Sequence, residues 1–65
     1  MLSGRVTEFD GAKGLGIVRS DDGVDYRFHV IEVLDGTRAV EPGQAVIFQP
    51  LPKFGRFQAG RIRKV

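Results

Sequence analysis

A basic stretch with regularly spaced glycines, "KGLGIVRS" at residues 13–20, is the first feature of this sequence that could bind a ligand. Two glycines separate Lys13, Leu15 and Ile17 from one another. Domains that bind single-stranded nucleic acid combine cations, which contact phosphates, with aromatic rings, on which bases stack. In this stretch Leu15 and Ile17 are aliphatic, so the segment is either a nucleic-acid site with a reduced stacking surface or a surface that serves another purpose.

A second candidate segment, "LPKFGRFQ" at residues 51–58, interleaves cations with aromatic rings. Lys53 and Arg56 alternate with Phe54 and Phe57 around one glycine. A loop of this composition, between the last two strands of a small barrel, suits a strand of nucleic acid. The alternative is that one ring, Phe57 more readily than Phe54, folds back and caps the barrel. We expect at least one of the two rings to be exposed.

Charge is distributed unevenly along the 65 residues, although the net charge is only +2. All eight acidic residues lie at or before Glu41. Residues 1–41 carry five bases against eight acids, a net charge of −3, and the remaining residues carry +5. A basic end on a small domain is typical of a phosphate-binding surface, and an ordinary solvated strand is the alternative.

Composition excludes several classes of site. The chain has no cysteine and one histidine, so it offers neither a disulfide framework nor the ligands of a zinc centre. The acidic residues of the turn at 21–25 lack the spacing of a calcium loop, and no helix follows the glycines at 11–16 as a nucleotide-binding loop requires. No nucleophile has a candidate base. We therefore expect no metal, no cofactor and no catalysis.

No run of the sequence approaches the ~20 apolar residues that span a bilayer, and no signal-peptide pattern follows Met1. We therefore expect a soluble cytoplasmic protein that does not bind membranes.

Short strands must position the candidate residues, because the nine glycines and three prolines argue against long helices. Asp-Gly pairs between apolar runs predict hairpins, and Glu41-Pro42-Gly43 predicts a tight turn. Pro50 and Pro52 lack the backbone donor and are predicted to end the fourth strand. The five predicted strands span 6–9, 15–19, 24–30, 45–49 and 57–65, with a 3₁₀ turn near 31–33.

Alternation in the third strand predicts its two faces. Arg27 and His29 would lie outside, beside Leu15 and Ile17 of the second strand. Because five short strands hide their edges by closing on themselves, we predict a single all-β domain over residues 1–65. It would form a small five-stranded antiparallel barrel of the oligonucleotide/oligosaccharide-binding (OB) or SH3-like kind. Residues predicted on its buried side are Val6, Val18, Val24, Tyr26, Phe28, Val46, Phe48 and Ile62.

Four stretches occur in order along the chain: "TEFD" at 7–10, "KGLGIV" at 13–18, "DYRFHV" at 25–30 and "EPGQAVIF" at 41–48. They resemble the motifs K-W-F-N, K-G-F-G-F-I, D-V-F-V-H-F and E-x-G-Q-x-V-x-F of the bacterial cold-shock proteins. "GRFQAGRI" is similar more weakly. The resemblance covers nearly the whole chain. It implies an OB-fold barrel whose second and third strands bind single-stranded RNA or DNA.

Departures from the family pattern are concentrated where that family binds. Glu8 stands at the exposed Trp, and Leu15 and Ile17 stand at the two Phe of the second strand. Arg27 and Val30 stand at the two Phe of the third. Stacking contributes about 1–3 kcal/mol per base, and ~1.4 kcal/mol is tenfold in affinity, so these losses weaken binding by orders of magnitude unless compensated. Retained binding positions are Phe9, Lys13, Asp25 and His29.

Two functions remain open from the sequence. The first is a binding module for single-stranded RNA or DNA, weak and electrostatic, acting as an RNA chaperone or a regulator of transcription or translation. The second is a protein-interaction or homodimerising module that uses an exposed aliphatic patch of Leu15, Ile17 and Val30. Candidate nucleic-acid-binding residues are Phe9, Lys13, Leu15, Ile17, Asp25, Arg27, His29, Val30, Lys53, Phe54, Arg56 and Phe57.

Overall fold

Five strands and one short 3₁₀ turn make up the described part of the computed structural model, which covers residues 1–34, 40–53 and 55–65. Within these residues no helix is long and apolar enough to cross a membrane. The strands are β1 (Leu2–Asp10), β2 (Leu15–Ser20), β3 (Asp25–His29), β4 (Ala45–Lys53) and β5 (Arg56–Lys64), and the 3₁₀ turn is Val30–Glu32.

The strands close into a barrel in the order β1-β2-β3-β5-β4, which confirms the predicted all-β five-stranded fold. The β1–β2, β2–β3, β1–β4 and β4–β5 seams are antiparallel. The β3–β5 seam is parallel and pairs Arg27 with Gln58. The prediction of antiparallel pairing therefore fails at this seam. β4 lies between β3 and β5 in the sequence, so no hairpin joins these two paired strands.

Inward-facing side chains of all five strands form the core. Six of the predicted core residues are at most 2% exposed: Val6, Val18, Phe28, Val46, Phe48 and Ile62. Tyr26 is half-buried and packs edge-on against Phe48, with ring centroids 5.2 Å apart. The alternation that predicted these faces is therefore confirmed along β3 and β4.

Val24 lies outside the core, contrary to the prediction, with 46% of its surface exposed. The structure begins β3 at Asp25, and Val24 belongs to the preceding turn. The Ser20 hydroxyl accepts the Val24 N–H at 3.2 Å, and the Val24 carbonyl accepts the Ser20 N–H at 2.9 Å. These bonds hold Val24 in the turn, so its side chain does not follow the alternation of the strand.

Val30 is buried, with 5% exposure, so its predicted place in an exposed aliphatic patch is wrong. Its side chain lies on the inner side, two residues after Phe28, as the alternation of β3 continues into the 3₁₀ turn. The Val30 N–H donates to the Gly14 carbonyl at 2.8 Å, which fixes this turn against the β1–β2 connection. The core also contains Val33, Val40 and Ala59.

β4 continues through Pro50 and Pro52 to Lys53, where the sequence predicted an end at Gln49. Pro50 pairs with Ala59 of β5, and Pro52 pairs with Phe57. The two prolines are two residues apart, so their nitrogens face the same edge of the strand. On the other side of β4, β1 pairs only as far as Phe48. Pro50 and Pro52 have no backbone N–H group to donate. Because no strand pairs with that edge of β4, no ladder hydrogen bond is lost there.

Candidate nucleic-acid interface

An irregularity in β1 places the carboxylate of Glu8 on the outside of the barrel. Val6 pairs with Val18, but Glu8 pairs with Ile17, so Thr7 is an extra residue in β1. The Thr7 hydroxyl donates to the Ile17 carbonyl at 3.4 Å. Such a bulge exchanges the faces of the residues that follow it. Without it, the two-residue period would direct Glu8 inward, as it directs Val6.

Rows of outward-facing side chains cross the barrel from β1 to β3. One row holds Glu8, Ile17 and Arg27, which are successive cross-strand partners. Arg27 then pairs with Gln58 of β5. Directly opposed residues point to the same face, and neighbouring strands lie about 4.8 Å apart. The outer surface of this row therefore runs from the Glu8 carboxylate, across the aliphatic side chain of Ile17, to the Arg27 guanidinium.

The neighbouring row contains Asp10, Leu15 and His29. Leu15 is 48% exposed. The His29 Nδ1 accepts the N–H of Ile31 at 3.2 Å, so the neutral ring carries its proton on Nε2. His29 is thereby held on the outer face with Nε2 available as a donor to a ligand.

A groove of about 530 Å³ lies along these two rows. It continues into a depression of about 190 Å³ that reaches Arg56 and Phe57, and the two share Ile17, Arg27 and Gln58. The structure thus brings together most of the candidate residues that the sequence singled out: Phe9, Leu15, Ile17, Asp25, Arg27, His29, Arg56 and Phe57.

Two stacked phenylalanine rings support the groove from below. Phe9 and Phe28 are nearly parallel, at 5° between planes and 6.1 Å between ring centroids. A Cβ at Gly16 would lie 2.5 Å from the Phe28 ring, so only glycine allows the ring to pack beneath β2. Phe9 is half-buried and faces inward beside the groove. Its ring therefore stabilises the floor and offers less stacking surface than an outward-facing ring.

Phe57 supplies an aromatic surface at the far end of the groove. Its side chain is 63% exposed, which confirms the expectation that at least one ring of the 51–58 segment is exposed. Phe54 lies outside the described residues. Arg56 lies beside Phe57 in the same depression, so a cation and a ring are presented together.

Asp25 forms an ion pair with Arg19. The Arg19 Nε lies 2.8 Å from the Asp25 Oδ1, and both side chains are about half exposed. The hydrogen bond from Arg19 lowers the pKa of Asp25 below the usual aspartate range. Arg27, by contrast, makes no ion pair or hydrogen bond with the side chains of the described residues. Its guanidinium is therefore available to a ligand.

Opposite charges lie on the two sides of the groove. Glu8 and Asp10 line it on β1, whereas Arg27 and Arg56 line it on β3 and β5, where the carboxylate of Asp25 is paired with Arg19. Asp10 also stabilises the turn after β1, because its Oδ1 accepts the N–H groups of residues 12 and 13 at 3.0 and 3.3 Å. A polyanion would therefore lie along β3 and β5, away from the carboxylates.

Three predicted residues do not line the groove. Lys13 lies in the turn between β1 and β2, and Lys53 lies at the end of β4 opposite Arg56. Val30 is buried. Gln58 lines the groove but was not predicted. Its position depends on the parallel pairing of β3 with β5, and no local sequence pattern indicates that pairing. Asp10 was likewise interpreted only as a turn residue.

A comparison with solved structures finds this fold in "drosophila Unr CSD456", with a TM-score of 0.83 and 28% sequence identity. The alignment covers 98% of this chain and 26% of that chain. No protein-family profile matches the sequence, and no curated protein matches it. The structural neighbour is a cold-shock domain of a eukaryotic protein, so the match supports a cold-shock domain without restricting it to the bacterial family.

Proposed function

We propose that this chain is a binding module for single-stranded RNA or DNA, and that the ligand lies in the groove across β2 and β3. The cold-shock fold supports a nucleic-acid partner in general terms. The observation that carries the proposal is the continuity of the groove from Leu15 and His29, past Arg27, to Arg56 and Phe57. Binding alone is proposed, without catalysis.

The chemistry of the groove suits an unpaired strand. Arg27 and Arg56 can bind phosphates, and the Arg27 plane can also stack on a base. Phe57 offers an exposed ring, and each base–ring stack contributes about 1–3 kcal/mol. Leu15 and Ile17 offer apolar contact without a π face. We therefore expect weaker stacking and a larger electrostatic share than in a domain with rings at those positions.

A protein-interaction surface has less support. Val30, one of the three residues of the aliphatic patch predicted from the sequence, is buried in the core. Leu15 and Ile17 remain, but each lies beside a carboxylate of β1 in its row, and Arg27 lies on the other side of Ile17. An interface between proteins usually excludes charged groups from its centre. The mixed surface is closer to what a charged and partly planar ligand requires.

The proposal is tested by titrating fluorescein-labelled oligo-dT and oligo-U at two salt concentrations and following fluorescence anisotropy. For single strands, log affinity falls with log salt by about 0.7 per phosphate contact, so two to four contacts give a slope of roughly −1.4 to −2.8. A folded sample that binds neither strand at low salt contradicts the proposal. Dimerisation that is independent of salt and lost on Leu15→Glu favours the interaction module instead.

A further inference from the structure

We infer that Glu8 makes this groove selective for guanine among the four bases. The inference rests on the proposed function and concerns the base specificity of the same site. Glu8 is exposed and lines the groove. Among the described residues its carboxylate has no hydrogen-bond or ion-pair partner. An acceptor that is not satisfied by the protein is available to a ligand.

The row that contains Glu8 fixes the orientation of a bound nucleotide. Glu8 and Arg27 flank Ile17 on the two neighbouring strands. They are therefore separated by about two strand spacings, roughly 10 Å. Phosphate is attracted to the guanidinium and repelled by the carboxylate. A nucleotide consequently places its backbone over β3 and extends its base across Ile17 towards Glu8.

The functional groups on the two sides of the groove are chemically unequal. The Glu8 carboxylate accepts hydrogen bonds and donates none, and Asp10 beside it also offers only acceptor oxygens. Arg27 and the Nε2 of His29 donate. A base edge that reaches β1 is therefore required to donate hydrogen bonds.

Guanine presents the edge that fits this requirement best. Its N1–H and N2–H groups are adjacent, parallel donors, and a carboxylate accepts such a pair with both oxygens. Adenine and cytosine each offer one amino group beside an acceptor nitrogen. Uracil and thymine place their N3–H between two carbonyl oxygens, which a carboxylate repels. In single strands these Watson–Crick edges are open to the protein.

The test compares four labelled RNA heptamers in which the central residue of an oligo-U strand is uridine, guanosine, adenosine or inosine. Inosine keeps the N1–H of guanosine and lacks its amino group. A bidentate base contact is typically sufficient for about tenfold discrimination. We expect the guanosine strand to bind about tenfold more tightly than the uridine strand, and inosine to lose most of that gain.

Glu8→Gln removes one carboxylate oxygen and the charge while preserving the size of the side chain. We expect this variant to bind the guanosine and uridine strands within about twofold of each other and to bind oligo-U more tightly than the parent. Glu41→Gln is the matched control, since Glu41 is exposed and does not line the groove. It changes net charge equally and should retain the guanine preference.

The outcomes separate this inference from the proposed function. Salt-sensitive binding without a guanine preference overturns the role of Glu8 and leaves the binding function intact. A guanine preference that survives in Glu8→Gln also overturns it. A folded parent protein that binds none of the four strands at low salt overturns the proposed function and this inference together.

Discussion

Arg27 lies where the two parts of the groove meet, and its guanidinium is the planar cation that faces both. We expect Arg27→Ala to weaken oligonucleotide binding by about tenfold, because it removes a phosphate contact and a stacking surface together. It should also make the salt slope shallower by about 0.7.

Arg27→Lys separates the two contributions of that side chain, since lysine keeps the charge without the plane. It should preserve the salt slope and still lose affinity. Arg63→Ala, outside the groove, is the control and should change affinity less than twofold. Equal effects of the Arg27 and Arg63 substitutions would indicate that only overall charge matters.

Leu15 and Ile17 occupy outward positions that can accept rings. Leu15→Phe combined with Ile17→Phe should tighten oligonucleotide binding at least tenfold, because two added stacks contribute about 1–3 kcal/mol each. Isothermal titration calorimetry with oligo-dT checks this. Ile31→Phe is the control, since Ile31 is 75% exposed and lies outside the groove. An unchanged affinity in a folded double variant would place the site elsewhere.

Asp25 provides a pH-dependent test of the surface. Its hydrogen bond from Arg19 lowers the pKa of Asp25, so the carboxylate stays ionised to lower pH in the folded state than in the unfolded chain. The resulting stabilisation is present above the ordinary aspartate pKa and is lost as pH falls through the lowered value. A ¹³C NMR titration should find a low pKa for Asp25 that returns towards the usual value in Arg19→Gln. An unaltered midpoint would contradict the ion pair.

β5 contains a local distortion with a structural role. Arg61 has a φ of 50°, in the left-handed region that disfavours side chains with a Cβ. The β4–β5 register shifts here, since Ile47 pairs with Arg63 and Gln49 pairs with Gly60. The Glu32 carboxylate accepts the Arg61 N–H at 3.2 Å, so the distorted segment holds the 3₁₀ turn against β5.

Glycine at position 61 should relieve this strain. Arg61→Gly is expected to raise the free energy of unfolding by up to about 1 kcal/mol, because the steric gain exceeds the entropy that glycine adds to the unfolded chain. Arg63→Gly, on the same strand, should instead lower it by roughly 0.5–1 kcal/mol. Urea denaturation measures both. Destabilisation of equal size in the two variants would show that residue 61 carries no strain.

The limits of prediction also lie at the level of elements. Alternation and Asp-Gly turns were sufficient to predict the β2–β3 hairpin and its outward pair of Ile17 and Arg27. They failed at Val24, because hydrogen bonds to Ser20 extend the turn by one residue. The bulge at Thr7 depends on how β1 pairs with β2, and the Arg27–Gln58 seam joins strands distant in sequence, so alternation within one strand could indicate neither.

Closure of the whole barrel depends on its shortest seam. β3 and β5 share the single pair Arg27 and Gln58, whereas β2 and β3 pair from Leu15–His29 to Arg19–Asp25. Fewer pairs mean less resistance to local opening. Hydrogen exchange should therefore be faster for amides at the β3–β5 seam than for the paired amides of β2. Uniform protection around the barrel would contradict this.

The extra residue in β1 links insertions and deletions to charge. Deleting Thr7 would remove the residue that has no partner in β2 and would leave Glu8 opposite Ile17 on the outer face. Regular pairing that kept Thr7 would instead turn the Glu8 carboxylate towards the core and the Phe9 ring outward. A buried, unpaired carboxylate is strongly destabilising, so the chain with Thr7 present retains its bulge. Loss of one residue at position 7 is therefore a change of chain length that this strand accommodates without moving charge into the core.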